Sequence, residues 1–330
     1  MSPALTLARG RGLASRGGRR AAAGAAFLVL GLVLATLPTF ASDYTVLVGY
    51  RVLEYAALAQ AWNLLAGYGG LVSLGSAAFI GIGSYATAEI TIHSGVPLVP
   101  AMLGSGAAAA AFAVIVSVPL FRLRGLYFAI GTLTLAEALR IWMVNWNGFG
   151  GASGQFLTDT APGNHEIYYL SLVVLALATA LVAGVLRTRL GVGLRAVRDN
   201  EDVAQEMGLS TFRTKLWAFA LAASVMGAVG GMQAARLSAI EPYGAFNLQW
   251  TIDIVNIAIV GGLGTIAGPL AGAAFVIILG ELLADYPELH VAITGAILIA
   301  VIRFAPRGLW GTLAGAGLPA PLRLLARRRG

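Results

Sequence analysis

The sequence predicts an all-α polytopic membrane protein of about ten transmembrane helices, with both termini cytoplasmic. Three observations carry this. Of the 330 residues, 58% are hydrophobic and 11% charged, where a soluble domain carries about 25% charged residues. Apolar runs close to the length that crosses a bilayer as a helix recur along the whole chain. The basic residues gather in alternate intervals between those runs, the pattern that positive charge on the cytoplasmic side imposes.

Taken in order, residues 1–20 carry Arg9, Arg11, Arg16, Arg19 and Arg20 and read as a disordered cytoplasmic tail. The apolar run from Ala21 to Leu37 is the first span, though its basic leader and the small residues near Ala41 also fit a cleaved signal peptide. Further spans are expected at 45–66, 71–92, 97–119, 126–146, 167–186, 216–235, 248–263, 266–283 and 289–304. The two runs around Gly261–Gly268 are short and broken by glycine, so they read either as two spans or as one span plus a re-entrant segment. The membrane domain thus covers 21–308, with a charged cytoplasmic loop at 187–215 and a basic cytoplasmic tail at 309–330.

Charge placement supports the count. Five basic residues fall in the N-terminal tail, two at Arg122 and Arg124, six from Arg187 to Lys215 and six from Arg303 onward, which accounts for 19 of the 22. Arg51, Arg140 and Arg236 are left over. The longest outer loop, Asn147 to Glu166, holds no Lys or Arg.

Composition also excludes whole classes of chemistry. There is no cysteine, and His93, His165 and His290 are scattered, so no metal site is expected. A net charge of +7 raises nucleic acid as a partner, but the basic residues flank apolar spans instead of forming a soluble basic face, so none is expected. Lys215 is the single lysine and Thr214 precedes it, so no phosphate-binding G-x-x-x-x-G-K-[ST] loop exists. No cofactor motif or nucleophile constellation appears, and the chain reads as a non-enzyme.

Inside the spans, Arg51 with Glu54 and Glu137 with Arg140 stand at i, i+3 spacing, so each pair is expected to meet on one helix face. A charge at the bilayer centre costs about 2.5–3.5 kcal/mol on insertion scales, so these groups pair to fix helix rotation or line a polar path. Asp253 has no opposite charge within reach on its own span and is expected to find a partner on another helix or sit at the outer interface. Asn63 and Ser73 add polar groups to the glycine-dense junction 63–75, which suggests broken helices able to bind substrate groups. Glu54, Glu137, Arg140, Asp253, Asn63 and Ser73 are therefore the candidates for a translocation path. Gly264, Gly268 and Gly272, and Gly227 with Gly231, are small-residue ladders suited to close helix packing.

The longest charged stretch, Arg187 to Lys215, holds a capped helix by local rules. Asp199 is the expected N-cap, Glu201 and Asp202 occupy the first turn, and Gly208 ends the helix in the left-handed conformation. Val203, Ala204 and Met207 form a small apolar edge suited to a partner's groove. The run Asp202 to Gly208 resembles the E-A-A-x-x-x-G coupling loop of ATP-binding-cassette (ABC) importer permeases, with Asp202 and Val203 as departures. In its longer form, Arg195 to Leu209, it is similar to the version in LivM-type branched-chain amino-acid permeases. Asn63 to Tyr85, Arg122 to Glu137 and Val260 to Pro269 look like further blocks of that family in matching order. Leu71, Ser76 and the partial Gly150–Gly154 pattern depart from it.

The resemblance implies a multi-pass permease subunit of the bacterial inner membrane. Its implied partners are a homologous second permease, two cytoplasmic ABC ATPases and an extracytoplasmic solute-binding protein. The implied substrates are branched-chain or other hydrophobic amino acids, with urea, amides or aromatic acids as alternatives. Arg195, Arg198, Asp199, Glu201, Asp202, Ala204, Met207 and Gly208 are the implied ATPase-coupling residues. An ion-coupled secondary transporter using Glu54, Glu137 or Asp253 is the rival from a different class.

Overall fold

A computed structural model describes residues 31–157, 162–284, 287–305 and 308–315. The expectations for 1–20 and for the tail beyond 315 lie outside the described residues.

The chain is almost entirely helical. In order come α1 (Gly31–Phe40), α2 (Asp43–Asn63), α3 (Ser76–Ser94), α4 (Leu98–Leu120), α5 (Leu126–Asn145) and α6 (Asn164–Val185). Two helices of the charged stretch follow, α7 (Arg189–Asp199) and α8 (Glu201–Glu206), then α9 (Thr211–Leu237) and the short α10 (Pro242–Ala245). The chain closes with α11 (Leu248–Gly261), α12 (Gly268–Leu282), α13 (Pro287–Phe304) and α14 (Gly308–Gly315). Among the described residues, α4, α5, α6 and α9 are long and apolar enough to cross a membrane by length and composition.

Small residues decide which helices touch. α9 packs along α3 and α4, and the contacts are backbone to backbone. A Cβ on Gly83 would stand 2.0 Å from the Gly227 carbonyl oxygen, and one on Gly230 would stand 2.1 Å from that of Ile80. The ladder toward the C-terminus does the same, since a Cβ on Gly272 would stand 2.1 Å from the Ile257 carbonyl oxygen, so α11 and α12 lie against each other. Where lipid removes the hydrophobic drive between helices, such close approach supplies the packing. Phe79, Phe121 and Phe128, at the adjoining ends of α3, α4 and α5, each meet Phe219 of α9 edge-on. α9 is the central helix, with 72% of its apolar window buried, and α5 is peripheral with 28%.

Three local details add to the sequence expectations. The all-α architecture holds, with one two-residue ribbon in which Gln155–Phe156 pairs antiparallel with Ala239–Ile240 and ties the loop after α5 to the end of α9. The tail beginning at 309 starts inside α14, which packs on α11, α12 and α13 and brings Gly308 against the Gly262 backbone. The apolar run at 71–92 starts earlier than its helix. After α2 the chain makes one π-helical turn, Leu64–Tyr68, leaves it at Gly70 with φ +69°, and runs irregularly to Ser76.

Candidate functional site

At one end of the bundle four segments converge: the π turn after α2, the turn between α4 and α5, the pair α7–α8, and the turn between α11 and α12. The charged stretch forms two helices here, because Asn200 interrupts it in an extended conformation with φ −162° and ψ 111°. That geometry makes Asn200 the N-cap of α8, its Oδ1 accepting from the Asp202 and Val203 amides at 3.1 Å each. Asp199 is not the cap. It is the last residue of α7 and accepts instead from Arg198 Nε and Nη2, at 3.4 and 3.3 Å. Gly208 takes φ +84° and ends the helix as expected.

Helix α8 is held on both flanks by its own first-turn acids. Asp202 accepts from Arg124 Nη1 at 2.9 Å, and Glu201 pairs with Lys215, which is only 4% exposed and also lies over the Phe121 ring. A buried lysine needs such a partner, because an uncompensated buried charge costs about 3–5 kcal/mol. These two acids therefore bind α8 to the α4–α5 turn and to α9, beyond any benefit from the helix dipole. The expected apolar edge is divided. Val203 and Met207 are 48% and 83% exposed, but Ala204 is 4% exposed and packs inward. Arg195 is exposed and donates to the Gly191 carbonyl at 3.1 Å. Arg198 turns back into the chain and donates to the Gly67 carbonyl at 2.9 Å.

Asn63 and Ser73 are buried at the broken junction and engage backbone. Asn63 Nδ2 donates to the Thr265 carbonyl and its Oδ1 accepts from the Gly264 amide, both at 2.8 Å. Gly75 donates to Ser73 Oγ at 3.3 Å, and Trp62 Nε1 to the Ser73 carbonyl at 2.8 Å.

The remaining path candidates lie apart from this cluster. Glu137 and Arg140 form the expected pair on α5, through two hydrogen bonds, with Arg140 also stacked over Tyr243 at 5.2 Å. The other expected pair does not form. Glu54 is buried and accepts from Tyr50 Oη at 2.8 Å, while Arg51 reaches Glu281 of α12 at 3.3 Å. The cause is packing, since α2 is surrounded by α6, α9, α11 and α12, and neighbouring helices offer each charge a different partner. Asp253 finds Tyr55 Oη on α2 at 3.3 Å and Gln249 Nε2 on its own helix at 2.8 Å. Among the described residues, no group of three His, Asp or Glu side chains is placed to hold a metal ion.

Asn200, Arg124, Lys215 and Glu281 are the participants that sequence reading passed over. Asn200 carried a signal, being an asparagine directly before two acids; the other three are joined to their partners only by the fold.

Comparison with known proteins adds the following. A family model described as "Branched-chain amino acid transport system / permease component" matches residues 45–302. The high-affinity branched-chain amino acid transport system permease protein LivM of Escherichia coli (strain K12) is 28% identical over 315 residues, covering 86% of this chain and 74% of its own. The protein of the same description from Salmonella typhimurium is 27% identical over the same shares. A probable branched-chain amino acid transport permease protein LivH of Methanocaldococcus jannaschii is 29% identical over 155 residues, 44% of this chain and 48% of its own. No solved structure matches.

Proposed function

This chain belongs to the branched-chain amino acid permease family of ABC transporters, and on that premise we propose that it forms part of the translocation path of an ATP-driven importer in the bacterial inner membrane. In this reading it crosses the membrane about ten times with both termini cytoplasmic. It works with a homologous second permease, two cytoplasmic ATPases and an external solute-binding protein. Its cargo is a branched-chain or other hydrophobic amino acid, with small amides, urea or aromatic acids next in order.

One observation carries the mechanism. Helix α8 presents Val203 and Met207 to the outside, yet is tied through Asp202 to the α4–α5 turn and through Glu201 to α9. A short helix held this way acts as a lever, because displacing it pulls on several spans at once. Val203, Met207 and Gly208, flanked by Arg195, form the ATPase contact in this reading. ATPase closure pushes α8, and the spans joined to it tilt, opening the path alternately to each side. Translocation makes and breaks no bond in this chain, so the residues here only position helices.

The half-exposed Glu137–Arg140 pair supports a face for α5. Bare lipid is a costly surroundings for such a pair, so α5 faces the second permease or the polar path.

The test is uptake into proteoliposomes holding this chain with its ATPases, second permease and binding protein. Leucine uptake is expected to need ATP and to survive a protonophore. Gly208→Glu forces a side chain into the left-handed conformation, at about 1–2 kcal/mol, and misdirects the exit from α8. It is expected to abolish ATPase co-purification and uptake together. Uptake that collapses with a protonophore and ignores removal of the ATPases supports the ion-coupled reading instead.

A further inference from the structure

Arg198 is the one basic residue of α7 whose guanidinium reaches into the broken junction. Its Nη1 donates to the Gly67 carbonyl at 2.9 Å. Its stem lies on Gly70, where an added Cβ would come within 2.8 Å of Arg198 Cγ. Gly67 belongs to the π turn that closes α2, so the guanidinium caps a last-turn carbonyl, where a cation is favoured. The other edge of the guanidinium fork holds Asp199, and only Asn200, the N-cap of α8, separates Asp199 from that helix. A fork gripping two groups fixes direction as well as distance.

The connection continues past Gly67. A Cβ on Gly67 would stand 2.0 Å from Asn63 Oδ1 and 2.6 Å from the Gly264 amide nitrogen, so these three groups are in direct contact. Asn63 in turn grips Gly264 and Thr265 in the turn that joins α11 to α12. Beside this line lies a cavity of about 340 Å³, lined in part by Leu71, Arg124, Val197, Glu201 and Lys215. On that side α8 and the broken segment are not packed face to face, and the Arg198 side chain reaches the broken segment from the end of α7, two residues before α8 is capped by Asn200.

We propose that Arg198 is a positioning residue that transmits displacement of α8 to the broken end of α2 and, through Asn63, to the α11–α12 turn. This rests on the proposed reading of α8 as the element the ATPases move. Arg198 sets the position of the Gly67 turn, and Asn63 makes the α11–α12 turn follow it. The two residues act in series, so losing either one uncouples the motor from the path.

The test uses the full reconstituted complex and measures ATP hydrolysis, leucine uptake and the ratio of the two. Arg198→Ala is expected to leave ATPase co-purification and hydrolysis in place and to cut uptake per ATP by about tenfold, within the range seen for single positions in coupled networks. Arg198→Lys, which still reaches one carbonyl but cannot fork, is expected to recover part of the ratio. Asn63→Ala is expected to match Arg198→Ala, and the double variant to be no worse than the worse single, as a serial link requires. The proposal is overturned if Arg198→Ala keeps the wild-type ratio, if the two losses multiply in the double variant, or if Arg198→Ala and Arg198→Lys both lose the ATPases, which would make Arg198 a docking group. If the unaltered complex shows no ATP-dependent uptake at all, the functional reading fails and this proposal with it, whereas a coupled unaltered complex with a wild-type ratio in Arg198→Ala overturns this proposal alone.

Discussion

Arg51 and Glu54 on α2 stand three residues apart, as do Glu137 and Arg140 on α5, yet only the second two hold each other. On α2 most faces are occupied by other helices, and among these four charges only Arg51 pairs with a charge on a different helix, while staying half-exposed. Glu54, 2% exposed, is held by Tyr50, and Arg51, one position round the helix, crosses to Glu281 of α12. On α5 most of the surface meets no other part of this chain, so the nearest partner for each charge is the one on the next turn. Equal spacing puts both pairs on one face; the density of neighbours decides whether the pair stays within the helix or is divided among several.

Exchanging charges is the strongest way to break that comparison. In the double variant Arg51→Glu with Glu54→Arg, the new arginine enters a buried site beside Tyr50, over whose ring Arg236 already lies, and the new glutamate faces Glu281. An uncompensated buried charge costs about 3–5 kcal/mol, so the protein is expected to accumulate poorly in membranes, as read by immunoblot of the membrane fraction. The same exchange on α5, Glu137→Arg with Arg140→Glu, keeps a local pair and is expected to stay within about 1 kcal/mol of the parent by unfolding in mixed detergent. Equal behaviour of the two exchanges would mean that local pairing governs α2 as well.

A smaller change sharpens the α5 side. Glu137→Gln leaves Arg140 with the Tyr243 ring and no carboxylate, an imbalance of about 1–3 kcal/mol. The midpoint of unfolding in the same detergent assay is expected to fall, and the further change Arg140→Gln to recover part of it. A second loss in place of recovery would show that the arginine is held by something other than its pair.

How far the sequence reveals this molecule follows the same division between local and distant causes. The runs 97–119 and 126–146 coincide closely with α4 and α5, because span length, Pro97 and Gly125 act locally. Gly208 and the acids of α8 are legible for that reason too. The run 71–92 begins before α3 because Leu71 and Val72 are apolar, while the turn that bends them away is made at Gly70, whose positive φ and close contact with the distant Arg198 leave no apolar pattern. Glu201 with Lys215, Asp202 with Arg124, and Asn63 with Gly264 are invisible in one dimension, since each pair meets only after the chain has reversed direction. The two-residue ribbon between 155–156 and 239–240 is too short to leave a pattern.

Asn200 lies on the boundary between these two kinds of cause, and the smallest predicted effect falls there. Asp199 and Asn200 are equally good capping residues by type, so sequence alone cannot choose between them. In the fold Asp199 stays in the last turn of α7, where it accepts from Arg198, and Asn200 takes the extended conformation and caps α8. Removing that cap with Asn200→Ala is expected to cost about 1 kcal/mol, confined to α8 because its flanking ion pairs remain. Hydrogen exchange at the Ala204 amide, which bonds to the Asn200 carbonyl at 3.1 Å, is expected to quicken by about fivefold, while exchange in α9 stays unchanged. Faster exchange in Asp199→Ala than in Asn200→Ala would return the capping role to Asp199 and count against the proposed reading of α8 as a separate lever.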